Sequence, residues 1–138
     1  MKTHAKNYRS LKTKHQQSIE DFEGIFYAFT NEQFKEGLKK VNLSEGEENK
    51  LFKLGSGSFI LKDRIKDLED LLLSNKKELR ENLKDEKFLL NALRYELSNH
   101  EYSYSGDIYP ALDALSLKLE DIPSEILREA KRMASLDE

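Results

Sequence analysis

Apolar residues at helical spacing constrain this chain more than any other feature. Leu61, Ile65, Leu68, Leu72, Leu79 and Leu83 follow one another in steps of three, four or seven, which puts them on one side of an α-helix of 3.6 residues per turn. Asn75 stands where the next apolar residue is due, and Asn75 with Glu78 has the spacing of a fresh capping box. Residues 63–84 therefore read either as one helix of roughly 33 Å or as two with a break near Ser74. The same spacing recurs in Tyr8, Leu11, His15, Ile19 and Phe22, a first helix that Gly24 ends. It recurs again in Phe34, Leu38 and Val41, where Thr30 and Gln33 of TNEQ are placed to cap the helix start.

Further along, Asp85 is a good N-cap for a helix over 86–98. Pro110 suits the first turn of a short helix whose apolar side is Ala111, Leu112 and Leu115. Pro123 begins a last helix, about 123–134, with Ile126, Leu127 and Ala130 facing inward. Strand signals are few. FYAF (26–29) is aromatic and β-prone, and LFKLGSGSFIL (51–61) sets two apolar runs around Gly-Ser-Gly, as a hairpin or tight loop does. The expected fold is mainly α: a compact single domain, residues 1–138, of about five to six helices with a short β-hairpin near 51–61. Its basic N-terminal helix, within 1–22, should pack on the body through Tyr8, Leu11, Ile19 and Phe22 and turn its lysines to solvent.

Composition narrows the function classes. With 36% charged and 38% hydrophobic residues in 138, the chain is polar yet has enough Leu, Phe and Tyr for a core. It has no cysteine, which excludes thiolate nucleophiles, disulfides and cysteine-based zinc sites. The Gly-Ser-Gly turn lacks the GK[ST] ending of a P-loop and a third glycine for GxGxxG. No apolar run is long enough to span a membrane and no signal-peptide core opens the chain, so a cytoplasmic protein without a bound cofactor is expected. The net charge of −3 is unevenly spread: Lys2, Lys6, Arg9, Lys12 and Lys14 meet no acid and give residues 1–19 a charge of +5, which leaves −8 for the other 119. A basic arm of this kind is a candidate nucleic-acid surface, although a solvated helix face shows the same pattern.

One carboxylate is out of place. On a helical wheel begun at Phe88, Leu89, Leu90, Leu93 and Leu97 occupy an arc from about 100° to 200°, and Phe88, Ala92 and Tyr95 lie around 0°. Glu96 falls near 80°, within the apolar arc, and His100 one turn later falls near 120°. A carboxylate there must be paired, protonated or open to water. One reading is an acid–base or metal-ligating Glu96–His100 pair, with a third ligand from Glu101, Asp107 or His15. The other is structural: Glu96 pins the polar turn NHEYSYSGD (99–107), accepting from backbone N–H groups, a tyrosine hydroxyl or His100, while Tyr102 and Tyr104 lay their rings on the core. Glu96, His100, Glu101, Tyr102 and Asp107 form the candidate polar cluster. No HExxH and no supported Ser–His–Asp order specifies a reaction.

FYAFTNEQFKEGLKK (26–40), YELSNHEYSYSGD (95–107), ALDALSLKLEDI (111–122) and the opening KNYRSLKTKHQQ resemble a family of small uncharacterised proteins carried by phages, plasmids and integrative elements. The resemblance spans nearly the whole chain. Ser116 departs from it, standing where family members read Gly in ALxALGL. The context implied is a mobile-element protein that binds a host protein, such as an inhibitor of a defence nuclease of the anti-CRISPR kind. A nucleic-acid-binding accessory protein using the basic helix, and a small metal-binding or acid–base enzyme centred on Glu96 and His100, are the alternatives.

Overall fold

The computed structural model describes residues 7–137. They contain seven α-helices, α1 (Tyr8–Glu20), α2 (Asn31–Lys40), α3 (Ile65–Asn82), α4 (Glu86–Asn99), α5 (Tyr102–Ser105), α6 (Tyr109–Ala114) and α7 (Ser124–Leu136), and three strands, β1 (Ile25–Tyr27), β2 (Leu51–Gly55) and β3 (Ser58–Leu61). The protein is mainly α, as the periodicity predicts, and five of the seven helices have seven residues or more. Residues 63–84 hold a single helix, α3, in which Asn75 is an interior position; the residues around it, Lys76 to Arg80, are all good helix formers. No helix among the described residues is long and apolar enough to cross a membrane. The chain divides into two compact units, one of Gln17–Ser74 and one combining the residues up to Gln16 with those from Asn75 onward.

The 17–74 unit is built on a three-stranded antiparallel sheet of order β1-β3-β2. The hairpin expected at 51–61 is β2 and β3, and the third strand, β1, takes in Ile25 and the first two residues of FYAF through the pairs Ile25–Ile60, Phe26–Phe59 and Tyr27–Ser58; Ala28 and Phe29 lie beyond it. Phe26 and Phe59 stack at 5.3 Å and Phe34 of α2 meets both edge-on, at 5.8 and 5.2 Å. Thr30 accepts from the Gln33 N–H at 3.1 Å, and the Gln33 side chain accepts from Phe29 N–H, one residue beyond the capping-box position. Gly37 of α2 is buried with its Cα against the Phe26 ring, so closely that a Cβ would overlap ring carbons. Ile19, expected inside, is 37% exposed and Phe22 is half-buried.

The other unit centres on α4, which packs against α5, α6 and α7. Asp85 caps α4 as expected, accepting from Lys87 and Phe88 N–H at 2.9 and 3.1 Å. Ala92, Leu93, Leu97, Ala111 and Ala130 are fully buried, and Tyr8 and Leu11 of α1 belong to the same cluster. The small side chains Ala92, Ala130 and Ala134 let backbones approach. Arg94 grips Asp137 through two hydrogen bonds of 2.9 and 2.6 Å, and Ser98 donates to the same carboxylate at 3.1 Å. Between α6 and the 3-10 turn Leu119–Asp121, Ser116 adopts a left-handed conformation with φ 55°.

Gly37→Ala is expected to destabilise: overpacking against Phe26 costs about 1–3 kcal/mol, against roughly 0.5–1 kcal/mol regained from helix propensity. A melting temperature that rises in this variant would contradict the packing. Ser116→Gly has the opposite sign. Relief of a left-handed non-glycine residue is about 1–2 kcal/mol and exceeds the entropic cost of glycine, so the urea midpoint should move up.

Candidate functional site

Glu96 is 1% exposed, in the apolar arc where the helical wheel places it. Its partners come from α1. The Tyr8 hydroxyl donates to Glu96 Oε2, and Lys12 Nζ donates to the same oxygen at 3.0 Å. Tyr8 and Lys12 are one turn apart on a helix, so their side chains rise from one face and reach one point. Asn91 of α4 accepts from the Tyr8 backbone N–H at 2.9 Å, satisfying one of the free donors at the start of α1. The Tyr8 ring meets Tyr95 and Phe88 edge-on at 5.4 and 6.2 Å. Lys12 Nζ lies 5.1 Å from the Tyr95 ring centre and 5.7 Å from that of Tyr8, near enough for cation–π attraction.

The remaining carboxylate oxygen, Oε1, lies 3.4 Å from His100 Nε2. That is ion-pair distance without hydrogen-bond alignment, and among the described residues Oε1 accepts no hydrogen bond. Burial first, and then the neighbouring Glu96 carboxylate, hold the Tyr8 hydroxyl far above its ordinary pKa of 10.0. The arrangement keeps Tyr8 a donor throughout the neutral range. At 1% exposure the carboxylate is enclosed, and both of its hydrogen bonds among the described residues run to α1.

The polar turn is assembled differently from the expected cluster. Glu96 is pinned chiefly to α1 and not to residues 99–107, because its arc of α4 faces Tyr8 and Lys12; of the turn, His100 is the residue at ion-pair distance from it. Glu101 is exposed in a left-handed conformation of φ 57°, and Gly106 is left-handed too. These two left-handed residues bracket α5. Asp107 is exposed and accepts from Tyr109 N–H at 3.0 Å. Tyr102 is half-buried against the core, whereas Tyr104 is 81% exposed, contrary to its expected place. His15, the other third-ligand candidate, has its Nε2 2.8 Å from Glu78 Oε1. Among the described residues no three His, Asp or Glu side chains converge to hold a metal ion.

The candidate basic surface is also changed by its partners. Lys2 and Lys6 lie outside the described residues. Lys12 is tied to Glu96, and Lys14 Nζ donates to Glu78 at 2.8 Å. The Lys14 and His15 bonds hold the Glu78 carboxyl below its usual range. Arg9 stands over the Tyr95 ring at 5.9 Å.

Glu96→Gln keeps an acceptor for Tyr8 and is expected to melt near the parent, while Glu96→Ala strands a buried hydroxyl and should cost about 1–3 kcal/mol. Equal losses in the two variants would refute the anchor role. The Tyr8 hydroxyl also predicts alkaline behaviour. Its pKa is raised on folding, so its contribution is complete below the unfolded value of 10.0 and declines as pH climbs beyond it. Tyr8→Phe should lower stability at neutral pH and flatten the decline above pH 10, measured by denaturant titration at a series of pH values.

Over residues 7–135 the chain matches the model of a family described as a family of unknown function (DUF7659). No curated protein and no solved structure matches it. A match over nearly the whole length makes this chain a member of that family of unknown function.

Proposed function

We propose that the chain is a protein-binding module, carried by a mobile element, that docks onto a host protein. The observation that carries this reading is the outer strand of the small sheet. Among the described residues β2 pairs with β3 alone and its other edge has no partner strand, and it presents Phe52 and Leu54 at 50% and 43% exposure. On the opposite edge strand, Tyr27 is 65% exposed, and Phe29 just beyond it is 75% exposed. Phe29 is nonetheless fixed in place: its ring covers Gly57 in the hairpin turn, where a Cβ would collide with it, and Ala28 N–H bonds Gly57 O at 2.7 Å. Exposed edges with large apolar side chains are sites of strand addition and partner contact, and Lys53 between Phe52 and Leu54 discourages indiscriminate pairing.

The resemblance to mobile-element proteins supports a host defence enzyme as the partner class, and the −8 carried by residues 20–138 suits the basic nucleic-acid channel of a nuclease. The accessory-protein alternative has less support, since Lys12 and Lys14 already face Glu96 and Glu78.

Affinity capture from a bacterial host lysate with the full chain, beside a Phe52→Ser, Leu54→Ser double variant, tests the reading. A specific host protein should be recovered by the parent and reduced at least tenfold by the variant at an unchanged melting temperature. Equal recovery by both would remove the sheet edge as the contact.

A further inference from the structure

In the unit that holds α4, a cavity of about 480 Å³ lies along the C-terminal half of α3. Leu79, Leu83, Leu89, Leu115, Leu117 and Pro123 supply its apolar floor. Leu83, Leu89 and Leu115 belong to the buried core, with Leu79 and Leu117 half-buried against it, so the floor is continuous with the core. The rim along α3 is cationic. Lys76 and Arg80, one helical turn apart, both line the cavity and both are exposed. Among the described residues neither has an ion pair, a side-chain hydrogen bond or a ring contact. Two like charges one turn apart repel each other, so this pair gains from an external anion. Lys84 lines the cavity too but is tied to Glu81 at 3.1 Å. Glu86 and Asp121 are the acids of the lining, and Asp121 is occupied as acceptor for Lys118 N–H at 3.0 Å.

An apolar floor beside an unneutralised cationic pair selects for an amphipathic, acidic occupant. The volume lies within the range of ligand pockets and accommodates a few side chains. We infer that this groove docks a short acidic segment of a partner protein, its Leu- or Phe-type side chains resting on Leu79, Leu83, Leu115 and Leu117 and its carboxylates meeting Lys76 and Arg80. The inference rests on the reading of the chain as a protein-binding module and adds a second contact surface with a defined chemistry.

Selection from a random-peptide display library on the immobilised full chain tests it. Enriched peptides should combine apolar anchors with Asp or Glu, and their affinity should fall as salt rises, since rim contacts of this kind are screened over about 8–10 Å. A Lys76→Glu, Arg80→Glu variant should bind the selected peptides at least tenfold more weakly, with Lys76→Gln, Arg80→Gln intermediate and both folded as judged by melting. Methyl resonances of Leu79, Leu115 and Leu117 should shift on peptide addition. The inference is overturned if no acidic amphipathic peptides enrich, if charge reversal leaves affinity unchanged, or if the methyl shifts fall elsewhere. The Phe52→Ser, Leu54→Ser variant run in parallel separates the two proposals: host-protein capture that depends on the sheet edge, with a groove that takes no peptide, sinks this inference and leaves the module reading standing.

Discussion

A carboxylate withdrawn from water must be solvated by the protein, and in this chain that demand determines where the first helix lies against α4. The desolvation of an ion costs several kcal/mol. Glu96 recovers it from a hydroxyl and an ammonium that α1 delivers from a single face. An aliphatic residue at position 96 would fill the apolar arc, but it would leave the Tyr8 hydroxyl buried without an acceptor. Apolar burial of Tyr8 and Leu11 holds α1 down without regard to register. The trio of Tyr8, Lys12 and Glu96, with Asn91 taking the Tyr8 N–H, fixes where along α4 the helix sits. Directional bonds in a poorly solvated setting do this well because misalignment by one turn would strand both partners.

What could be read from the chain divides by range. Elements set by neighbours a few residues apart were legible: the Asp85 cap, the α4 stripe, the Gly-Ser-Gly hairpin and the proline-led helices. Glu96 was legible as a buried acid, since a helical wheel is a local construction. Its partners were not, because Tyr8 and Lys12 lie 88 and 84 residues away and nothing in local spacing encodes that meeting. A signal did exist: a hydroxyl on the apolar stripe of one helix and an acid on that of another are each costly alone. The same limit applies to FYAF, whose strand character was visible and whose pairing with β3 was not. The cluster expected around residues 99–107 forms only in part, with His100 3.4 Å from Glu96, for a different reason. Left-handed Glu101 and Gly106 turn the backbone twice, and side chains close in sequence end on different surfaces.

The basic N-terminus shows why a tally of charge misleads. Residues 1–19 carry all five of their charges as cations, yet Lys12 and Lys14 are joined to Glu96 and Glu78. Conversely, the net-negative remainder contains Lys76 and Arg80, which make no ion pair among the described residues. Ionic interactions are screened beyond about 8–10 Å at ordinary salt, so a partner responds to the few charges at its point of contact and not to the sum over a segment. A sequence count places the positive surface on α1. Pairing draws Lys12 and Lys14 out of that count, while Lys76 and Arg80 stand without ion pairs among the described residues at the rim of an apolar groove along α3, where charge and hydrophobic area coincide.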